Sequence, residues 1–257
     1  MPFCADLFYR FYDGGSSRYV YPVILLHGAG STHLGWPVDL RRLPGLRVFA
    51  VDLPGHGKSK GPSYRSMDSL TDQLHIFIRE MGFFYVVLAG HSLGAALALT
   101  YTSRFPERIK GLMVISCGTY FKIPQNLLDS LRKPAKKEKA VEILKRSAFY
   151  EKFPEATRRE ILKPLHDLRA STLEADLSIC DRFYFDGIQS NLQCRVLICG
   201  GKEDTFAPPI SLRQLQILLP GSTLNIYDKA GHMLVFKKID TLFRTAKNYL
   251  ATSASPF

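Results

Sequence analysis

The chain of 257 residues is long enough to form one large domain or two small ones around a sizeable core. Hydrophobic residues make up 46% of it and charged residues 22%, a composition that is typical of globular proteins and excludes disordered and fibrous ones. No apolar run approaches the roughly 18 residues that a membrane-spanning helix needs. The opening segment MPFCADLFYRFYDGG also lacks the basic and apolar regions of a secretory signal. We therefore expect no stable membrane insertion.

The five cysteines give an indication of the compartment. They are scattered along the chain, without the CxxC spacing of a zinc site, and their odd number does not suit a disulfide scaffold. Cysteines of this kind fit a reducing compartment, so we predict that the protein is cytoplasmic.

The formal net charge of +11 meets one criterion for nucleic-acid binding. The basic residues are nevertheless spread along the chain, and only Leu131 to Arg146 forms a cluster, in which Glu138 and Glu142 are interspersed. The sequence has no nucleic-acid-binding motif. We interpret the charge as a solvated basic surface and expect no nucleic-acid partner.

Short apolar runs mark the predicted strands. The chain opens with a predicted hairpin, in which Leu7 to Tyr12 and Tyr19 to Leu26 are joined by the turn Asp13-Gly14-Gly15-Ser16. Its last four residues, Val23 to Leu26, are all apolar, as expected of a strand that is buried on both faces. The further predicted strands are Arg47 to Asp52, Phe84 to Ala89, Gly111 to Ser116, Arg195 to Cys199 and Leu224 to Tyr227.

Apolar residues recur at helical spacing between these strands. Two such faces are Leu70, Leu74, Phe77, Ile78 and Met81, and Ile239, Leu242, Phe243, Ala246 and Tyr249. The stretch from Leu93 to Phe105 also predicts a helix. Alternation of strands and helices predicts an α/β fold with a parallel sheet and helices on both of its faces.

The segment from Phe121 to Asp186 interrupts this alternation. It has no buried-strand signal and consists of charged helical stretches divided by prolines. Two short apolar faces within it are Val141, Leu144 and Ala148, and Ile161, Leu165 and Leu168. We interpret the segment as an insertion of short helices between two strands of the sheet.

The sequence Gly90-His91-Ser92-Leu93-Gly94 lies between a predicted strand and a predicted helix. This is the G-x-S-x-G pattern in strand-turn-helix context, where a sharp turn exposes the serine oxygen and flanking side chains would crowd the strand and helix. The pattern alone is weakly specific. Its position between a strand and a helix makes Ser92 a candidate nucleophile rather than an incidental turn residue.

A second glycine-rich turn, His27-Gly28-Ala29-Gly30, follows the buried strand that ends at Leu26. Such a loop lets backbone N–H groups face a developing oxyanion, and the second donor is the residue after the nucleophile. The two turns nominate the backbone amides of Ala29 and Leu93 as an oxyanion hole. Without the serine motif, this loop would be read equally well as one that binds nothing.

The acid and the histidine of a triad are expected after the serine, in that order. Asp204 follows the predicted strand that ends at Cys199, and His232 follows the last predicted strand. Both loops therefore emerge at the same sheet edge as Ser92. Glu203 and Asp228 are competing positions for the acid.

The remaining histidines predict no further site. His27, His56 and His91 lie in turns beside strand ends, where hydrogen-bonded structural roles are expected, and His33, His75 and His166 have no partner motif. The sequence also has no HExxH, GxGxxG or GxxxxGK pattern. We predict no metal and no cofactor.

Five segments occur in order between about residues 20 and 235: HGAG, VDLPGHGKS, GHSLGAALAL, GGKEDTFAPP and KAGHM. Together they resemble the α/β-hydrolase fold superfamily, and within it the small serine carboxylesterases that carry a helical cap. The resemblance implies an α/β fold with a mostly parallel eight-stranded sheet flanked by helices and a helical cap inserted after the sixth strand. It implies a core domain of residues 1–120 and 187–257 and a cap of residues 121–186, and it favours Asp204 as the acid.

The resemblance also implies a function. We expect a serine hydrolase that cleaves small-molecule carboxylic esters of short to medium acyl chain through an acyl-enzyme, as a monomer or a homodimer. Lactones, thioesters and the C–C bond of a ring-cleavage product are alternative substrates, since the same triad serves them all. Ser92 argues against dehalogenases and epoxide hydrolases, which use an aspartate nucleophile. A non-catalytic binding protein is disfavoured because no triad residue is lost.

The insertion is expected to cover the edge of the sheet that carries Ser92. Concave ligand sites favour aromatic walls, so its aromatic residues are candidates for lining the pocket, or equally for anchoring the insertion to the core. These candidates are Phe149, Tyr150, Phe183, Tyr184 and Phe185. A closed cap of this size predicts an enclosed pocket that fits short acyl chains better than long ones.

Overall fold

A central β-sheet organises the computed structural model, which describes residues 2–15, 20–148, 153–188, 192–237 and 240–255. The strands are β1 (Phe3–Cys4), β2 (Leu7–Asp13), β3 (Val23–Leu26), β4 (Arg47–Val51), β5 (Val86–His91), β6 (Ile109–Ile115), β7 (Arg195–Gly201) and β8 (Thr223–Tyr227). Within the described residues they form one eight-stranded sheet in the order β1-β2-β4-β3-β5-β6-β7-β8. The pairs β1–β2 and β2–β4 are antiparallel, and the pairs from β4 to β8 are parallel. The prediction of a mostly parallel, eight-stranded α/β sheet is confirmed.

The predicted opening hairpin is wrong. β2 pairs with β1 on one side and with β4 on the other, and it makes no ladder with β3. Both edges of β3 are taken by parallel neighbours, β4 and β5, and all four of its residues are buried. A strand this apolar is typical of the centre of a parallel sheet. In the sheet β4 therefore lies between β2 and β3, although β3 follows β2 along the chain. Residues 16–19 of the predicted turn and strand lie outside the described residues.

Helices follow the strands, as the alternating pattern predicts. They are α1 (Val38–Arg41), α2 (Met67–Glu80), α3 (Leu93–Arg104), α4 (Gln125–Leu131), α5 (Lys137–Ala148), α6 (Glu155–Asp167), α7 (Ala170–Arg182), α8 (Pro209–Leu218) and α9 (Asp240–Ala254). Ser66 begins α2 by accepting a hydrogen bond from the amide of Ser69, and the predicted apolar face of α2 is buried from Leu70 to Ile78. Ile239 of the last predicted face lies outside the described residues.

Alternate residues of each central strand pack into two separate apolar layers. Ile24 and Leu26 face the layer that contains α2, α3 and α8, whereas Val23 and Leu25 face the layer that contains α1 and α9. This alternation is the period of two that a pleated strand imposes. The sheet is therefore covered by helices on both faces, and its carboxyl edge stays available for loops.

The helices α4 to α7 form the predicted insertion between β6 and β7, after the sixth strand of the chain. Their apolar residues make a third cluster that includes Leu128, Leu144, Leu165 and Leu177, and Phe206 of the core packs into it. Prolines precede α4 and α6, as expected of residues that favour helix starts, but α6 continues through Pro164. The insertion is consistent with a cap, while the exact division at residues 121 and 186 stays a prediction.

Candidate active site

Ser92 lies at the junction of β5 and α3, on a turn with a strained backbone. Its φ of 53° and ψ of −118° fall in a region that residues other than glycine rarely adopt. The flanking glycines make the turn possible. A Cβ at Gly90 would lie 2.4 Å from the backbone of Ala95, and one at Gly94 would lie 2.2 Å from the carbonyl oxygen of Leu26. The predicted sharp turn is present, and Ser92 lines a cavity.

The structure brings Ser92, His232 and Asp204 together. Ser92 Oγ is 2.8 Å from His232 Nε2, and His232 Nδ1 is 2.9 and 3.0 Å from the two carboxylate oxygens of Asp204. All three residues are buried. Because a carboxylate only accepts, Nδ1 carries the hydrogen, and Nε2 has a lone pair that accepts the Ser92 hydroxyl. The arrangement can move a proton from the serine to the imidazole.

The two competing acids have other partners. Glu203 accepts a hydrogen bond from the amide of Ala230 at 2.8 Å, and Asp228 forms an exposed ion pair with Lys202. Asp204 Oδ1 instead accepts two backbone amides, those of residues 206 and 207, at 2.9 Å each. These bonds fix the orientation of the Asp204 carboxylate toward the imidazole.

The amides of Ala29 and Leu93 lie beside Ser92. Ala29 lines the same cavity, and Leu93 is the first residue of α3, where backbone N–H groups have no partner within the helix. Within the described parts of the chain, the structure records no hydrogen-bond acceptor for either amide. The positive end of the α3 dipole also points to this position. The oxyanion-hole role of the two amides stays a prediction.

The cavity lies between the carboxyl edge of the sheet and the insertion. It has about 640 Å³ of empty space, part of which is open to solvent. Apart from the motif residues, its walls are mainly apolar: Phe121, Ile123, Leu144, Ala148, Ile161, Leu165, Leu177, Cys180, Phe206, Met233 and Phe236. Such a cavity suits an uncharged, largely apolar ligand.

Three of the five aromatic candidates do not line the cavity, and two of them, Phe183 and Phe185, take the alternative role of packing into the apolar core. Phe183 packs against Phe121 instead, Tyr184 is 73% exposed, and the amide of Phe185 donates to the Thr119 carbonyl at 2.8 Å. Residues 183–185 run beside residues 119 and 120 of the core, which keeps their side chains out of the cavity lining. The other two candidates, Phe149 and Tyr150, lie outside the described residues.

The motif VDLPGHGKS folds around the carboxylate of Asp52. This group accepts hydrogen bonds from His33 Nδ1 at 2.8 Å and from the amide of Lys58 at 2.9 Å. Burial raises the pKa of the carboxyl, but these bonds and the nearby His27 outweigh it and lower the pKa below its ordinary value. Asp52 thus holds the loop after β4 against the loop after β3.

Two buried histidines next to the site are uncharged at neutral pH. Burial lowers the pKa of His91 to about 4, and the neighbouring His232 adds to the effect. Burial likewise lowers the pKa of His27 to about 4. Their hydrogen bonds agree, since His91 Nε2 donates to the His232 carbonyl at 2.9 Å and His27 Nε2 accepts the amide of Leu53 at 3.0 Å. The predicted hydrogen-bonded roles of these two histidines are confirmed.

Asp176 of α7 also contacts the site, although no prediction from the sequence included it. This buried residue contacts the amide of Gly30 and the ring of His56. Nothing in its local sequence marks it, because both partners are more than a hundred residues away along the chain.

The described residues contain no group of three or more His, Cys, Asp or Glu side chains that could hold a metal ion. Across these same ranges, none of the helices combines the length and the apolar character needed to cross a membrane.

Residues 23–241 match the alpha/beta hydrolase family, so the chain belongs to that family. A 2-hydroxy-6-oxononadienedioate/2-hydroxy-6-oxononatrienedioate hydrolase of Klebsiella pneumoniae is 26% identical, over 89% of this chain and 86% of that protein. The solved structure of a thermophilic esterase is 26% identical with a TM-score of 0.76, and the match covers 96% and 98% of the two chains. The esterase EaEST from Exiguobacterium antarcticum has a TM-score of 0.80 at 20% identity, covering 95% of each chain, which shows the shared fold. The protein is a hydrolase of the alpha/beta fold and is esterase-like.

The depressed pKa values of the buried histidines predict a loss of stability in acid. Between pH 6.5 and 4 the unfolded chain binds a proton at His91 that the folded chain does not, so the free energy of unfolding falls as the pH falls. The expected loss from pH 7 to pH 5 is about 2 kcal/mol for this residue. The free energy of unfolding of His91→Gln can be measured with urea at pH 7 and at pH 5. Its change between the two pH values should be smaller than that of the wild type by about this amount.

Ser103→Ala, which removes no titratable group, is the control for this measurement. It should keep the wild-type dependence on pH. An equal dependence in the wild type and in His91→Gln would contradict the assignment of a neutral His91.

Proposed function

We propose that this protein is a carboxylic ester hydrolase in which Ser92 is the nucleophile, His232 the general base and then acid, and Asp204 the residue that orients the imidazole. The observation that carries the proposal is the continuous hydrogen-bond chain from Ser92 Oγ through His232 to Asp204 in a buried setting. A nucleophile, a base within hydrogen-bond reach and a third group that orients the base are the parts that acyl transfer requires.

The first half of the reaction acylates the serine. Ser92 Oγ bonds to the carbonyl carbon of the ester while its proton moves to His232 Nε2, and the π electrons of the carbonyl become an oxyanion. The amides of Ala29 and Leu93 are the proposed donors to that oxyanion. When the tetrahedral species collapses, the bond to the alcohol oxygen breaks, and the alcohol leaves with the proton from Nε2.

The second half returns the enzyme to its starting state. Water gives a proton to His232 Nε2 as its oxygen bonds to the acyl carbon, and the new tetrahedral species expels Ser92 Oγ, which recovers the proton. The Asp204 carboxylate stabilises the imidazolium in both halves without itself becoming protonated. Donors fixed by the backbone need no reorganisation as the negative charge develops.

The apolar cavity favours esters with a small to medium acyl part. Each methylene that fits gains about 0.8 kcal/mol by burial, whereas one that overfills a packed site costs about 1–3 kcal/mol. Leu165 and Leu173 of the insertion are packed closely over the loop after β3, as a Cβ at Gly30 would lie 2.3 Å from Leu165 Cδ2. Gly30 and Leu165 both line the cavity at this contact.

Hydrolysis of a C–C bond in a ring-cleavage product is the alternative that the Klebsiella pneumoniae relative supports. The name of that relative describes dioates, which carry two carboxylates. Among the described residues of this chain, the cavity lining contains no Lys or Arg to pair with such charges. A buried unpaired carboxylate is costly, so an uncharged ester is the favoured substrate.

Ser92→Ala tests the proposal directly. Loss of a triad nucleophile costs about 10⁶-fold in kcat, so hydrolysis of nitrophenyl esters should fall to the limit of detection. Ser103→Ala, on a later turn of the same helix, is the control and should keep the wild-type rate. If Ser92→Ala stayed within tenfold of the wild type, the serine-hydrolase proposal would be abandoned.

The choice of acid is tested by two neighbouring changes. Asp204→Asn should lower kcat by about 10⁴-fold with the fold intact, because the imidazole then loses its orienting carboxylate. Glu203→Gln keeps an oxygen that accepts the amide of Ala230, so its effect on kcat should be mild. Steady-state kinetics of both variants decide the matter, and the reverse ranking would make Glu203 the acid.

Substrate preference is tested with a series of nitrophenyl esters and a vinylogous diketone. The value of kcat/KM should rise from acetate until the pocket is full and fall before palmitate, and the diketone should be a poorer substrate than the best ester. A steady climb to palmitate would contradict the enclosed pocket. Faster cleavage of the diketone would favour the C–C bond reaction instead.

A further inference from the structure

The carboxylate of Asp176 connects the insertion to two loops of the core. Its Oδ2 accepts a hydrogen bond from the amide of Gly30 at 2.9 Å and another from His56 Nε2 at 2.8 Å. Asp176 is 3% exposed. A buried carboxylate is costly unless it is paired and hydrogen-bonded, so these two contacts determine whether the charge is tolerated.

The hydrogen bonds of His56 show that Asp176 faces a cation. His56 Nδ1 lies 3.0 Å from the Pro54 carbonyl, and its Nε2 faces Asp176. Both partners are acceptors, so each ring nitrogen carries a hydrogen. Burial lowers the pKa of His56, but the charge of Asp176 outweighs it and, with a smaller effect of Asp52, raises the pKa. The neutral ring of His27 packs against it, with ring centroids 5.0 Å apart.

The amide that Asp176 binds belongs to the central peptide of a tight turn. The amide of Ser31 donates to the Gly28 carbonyl at 3.2 Å and closes this turn, with Ala29 and Gly30 at its two central positions. Gly30 has a φ of 69°, the positive value of the type II form. Types I and II differ by a flip of the central peptide, so the partner of the Gly30 N–H decides between them. In the observed form that partner is Asp176.

We propose that Asp176 is a positioning residue, which anchors the Gly28–Ser31 turn to α7 through the Gly30 N–H and so keeps the neighbouring Ala29 amide at the reacting oxygen. This inference rests on the proposed function, in which Ala29 is an oxyanion donor. Asp176 does not line the cavity and acts through the Gly30 N–H. The insertion would then contribute to the rate as well as to substrate selection, because one of its helices fixes a loop of the catalytic centre.

Asp176→Leu removes the acceptor of the Gly30 amide, and the leucine side chain fills the space of the carboxylate so that water does not replace it. We expect kcat for a nitrophenyl ester to fall about 10²-fold, the lower end for loss of one oxyanion donor, with KM changed by less than about threefold. The inhibition constant of a trifluoromethyl ketone, whose adduct with Ser92 carries an oxyanion, should rise by the same factor as kcat/KM falls. Asp176→Asn keeps an oxygen for the Gly30 amide, so its kcat should stay within about tenfold of the wild type.

A double variant separates positioning from stability. Asp176→Leu leaves His56 without its ionic partner and should lower the melting temperature, whereas adding His56→Leu removes the second polar group and should restore part of it. The turn still lacks its acceptor in the double variant, so kcat should remain low. If kcat recovered together with the melting temperature, the positioning role would be overturned. If Asp176→Leu fails to fold, kcat and the melting temperature are compared between Asp176→Asn and the double variant instead.

Asp181→Asn, on the exposed side of α7, is the control and should match the wild type in kcat, inhibition and melting temperature. The possible failures are distinguishable. A wild type without esterase activity, or an active Ser92→Ala, defeats the proposed function. A Ser92-dependent wild type in which Asp176→Leu keeps both kcat and the inhibition constant within threefold defeats the role of Asp176 alone.

Discussion

The close approach of the first turn of α3 to the end of β3 is the contact on which the site depends. Gly94 allows it, since any side chain there would meet the carbonyl of Leu26. The facing loop also needs a residue without a side chain, because a Cβ at Gly28 would lie 2.9 Å from His91 Nδ1 and 3.2 Å from Ser92 Cβ. Because these side chains are absent, the strained serine turn and the loop after β3 lie side by side. Gly28, Ala29 and Ser92 then line a single cavity.

The buried histidines around this contact have different charge states because their surroundings differ. Among the described residues, no carboxylate lies within hydrogen-bond reach of His27 or His91, so burial keeps both rings neutral and leaves them structural. His56 and His232 each face a buried aspartate, but their other nitrogens differ. The other nitrogen of His56 faces a carbonyl, which holds its proton, whereas that of His232 faces a hydroxyl, which can donate one. Only the second arrangement is suited to proton transfer.

The insertion contributes two kinds of contact to the same small region. Leucine and isoleucine side chains of α5, α6 and α7 form the apolar walls of the cavity, and a single carboxylate from α7 reaches the loop below them. Apolar walls are non-directional and can exchange residues at modest cost, so they suit changes in substrate range. The hydrogen bonds of Asp176 are directional and require one placement of α7 relative to the core. Together with the contacts of Arg65 with Glu174 and Arg182, these bonds fix the insertion over the sheet.

Local sequence determined much of this protein. Buried strands are marked by short apolar runs, helices by their apolar period and the serine turn by its glycines, because each signal arises from neighbours within a few residues. The order of Ser92, Asp204 and His232 along the chain also predicted which residues meet, since parallel strands bring their carboxyl ends to one edge. The tertiary structure alone decided the pairing of β2 with β4, the turn of residues 183–185 away from the cavity and the contact of Asp176 with Gly30. These features depend on packing between segments distant in sequence, and no local pattern of residues encodes which distant partner a strand edge, a ring or a carboxylate will meet.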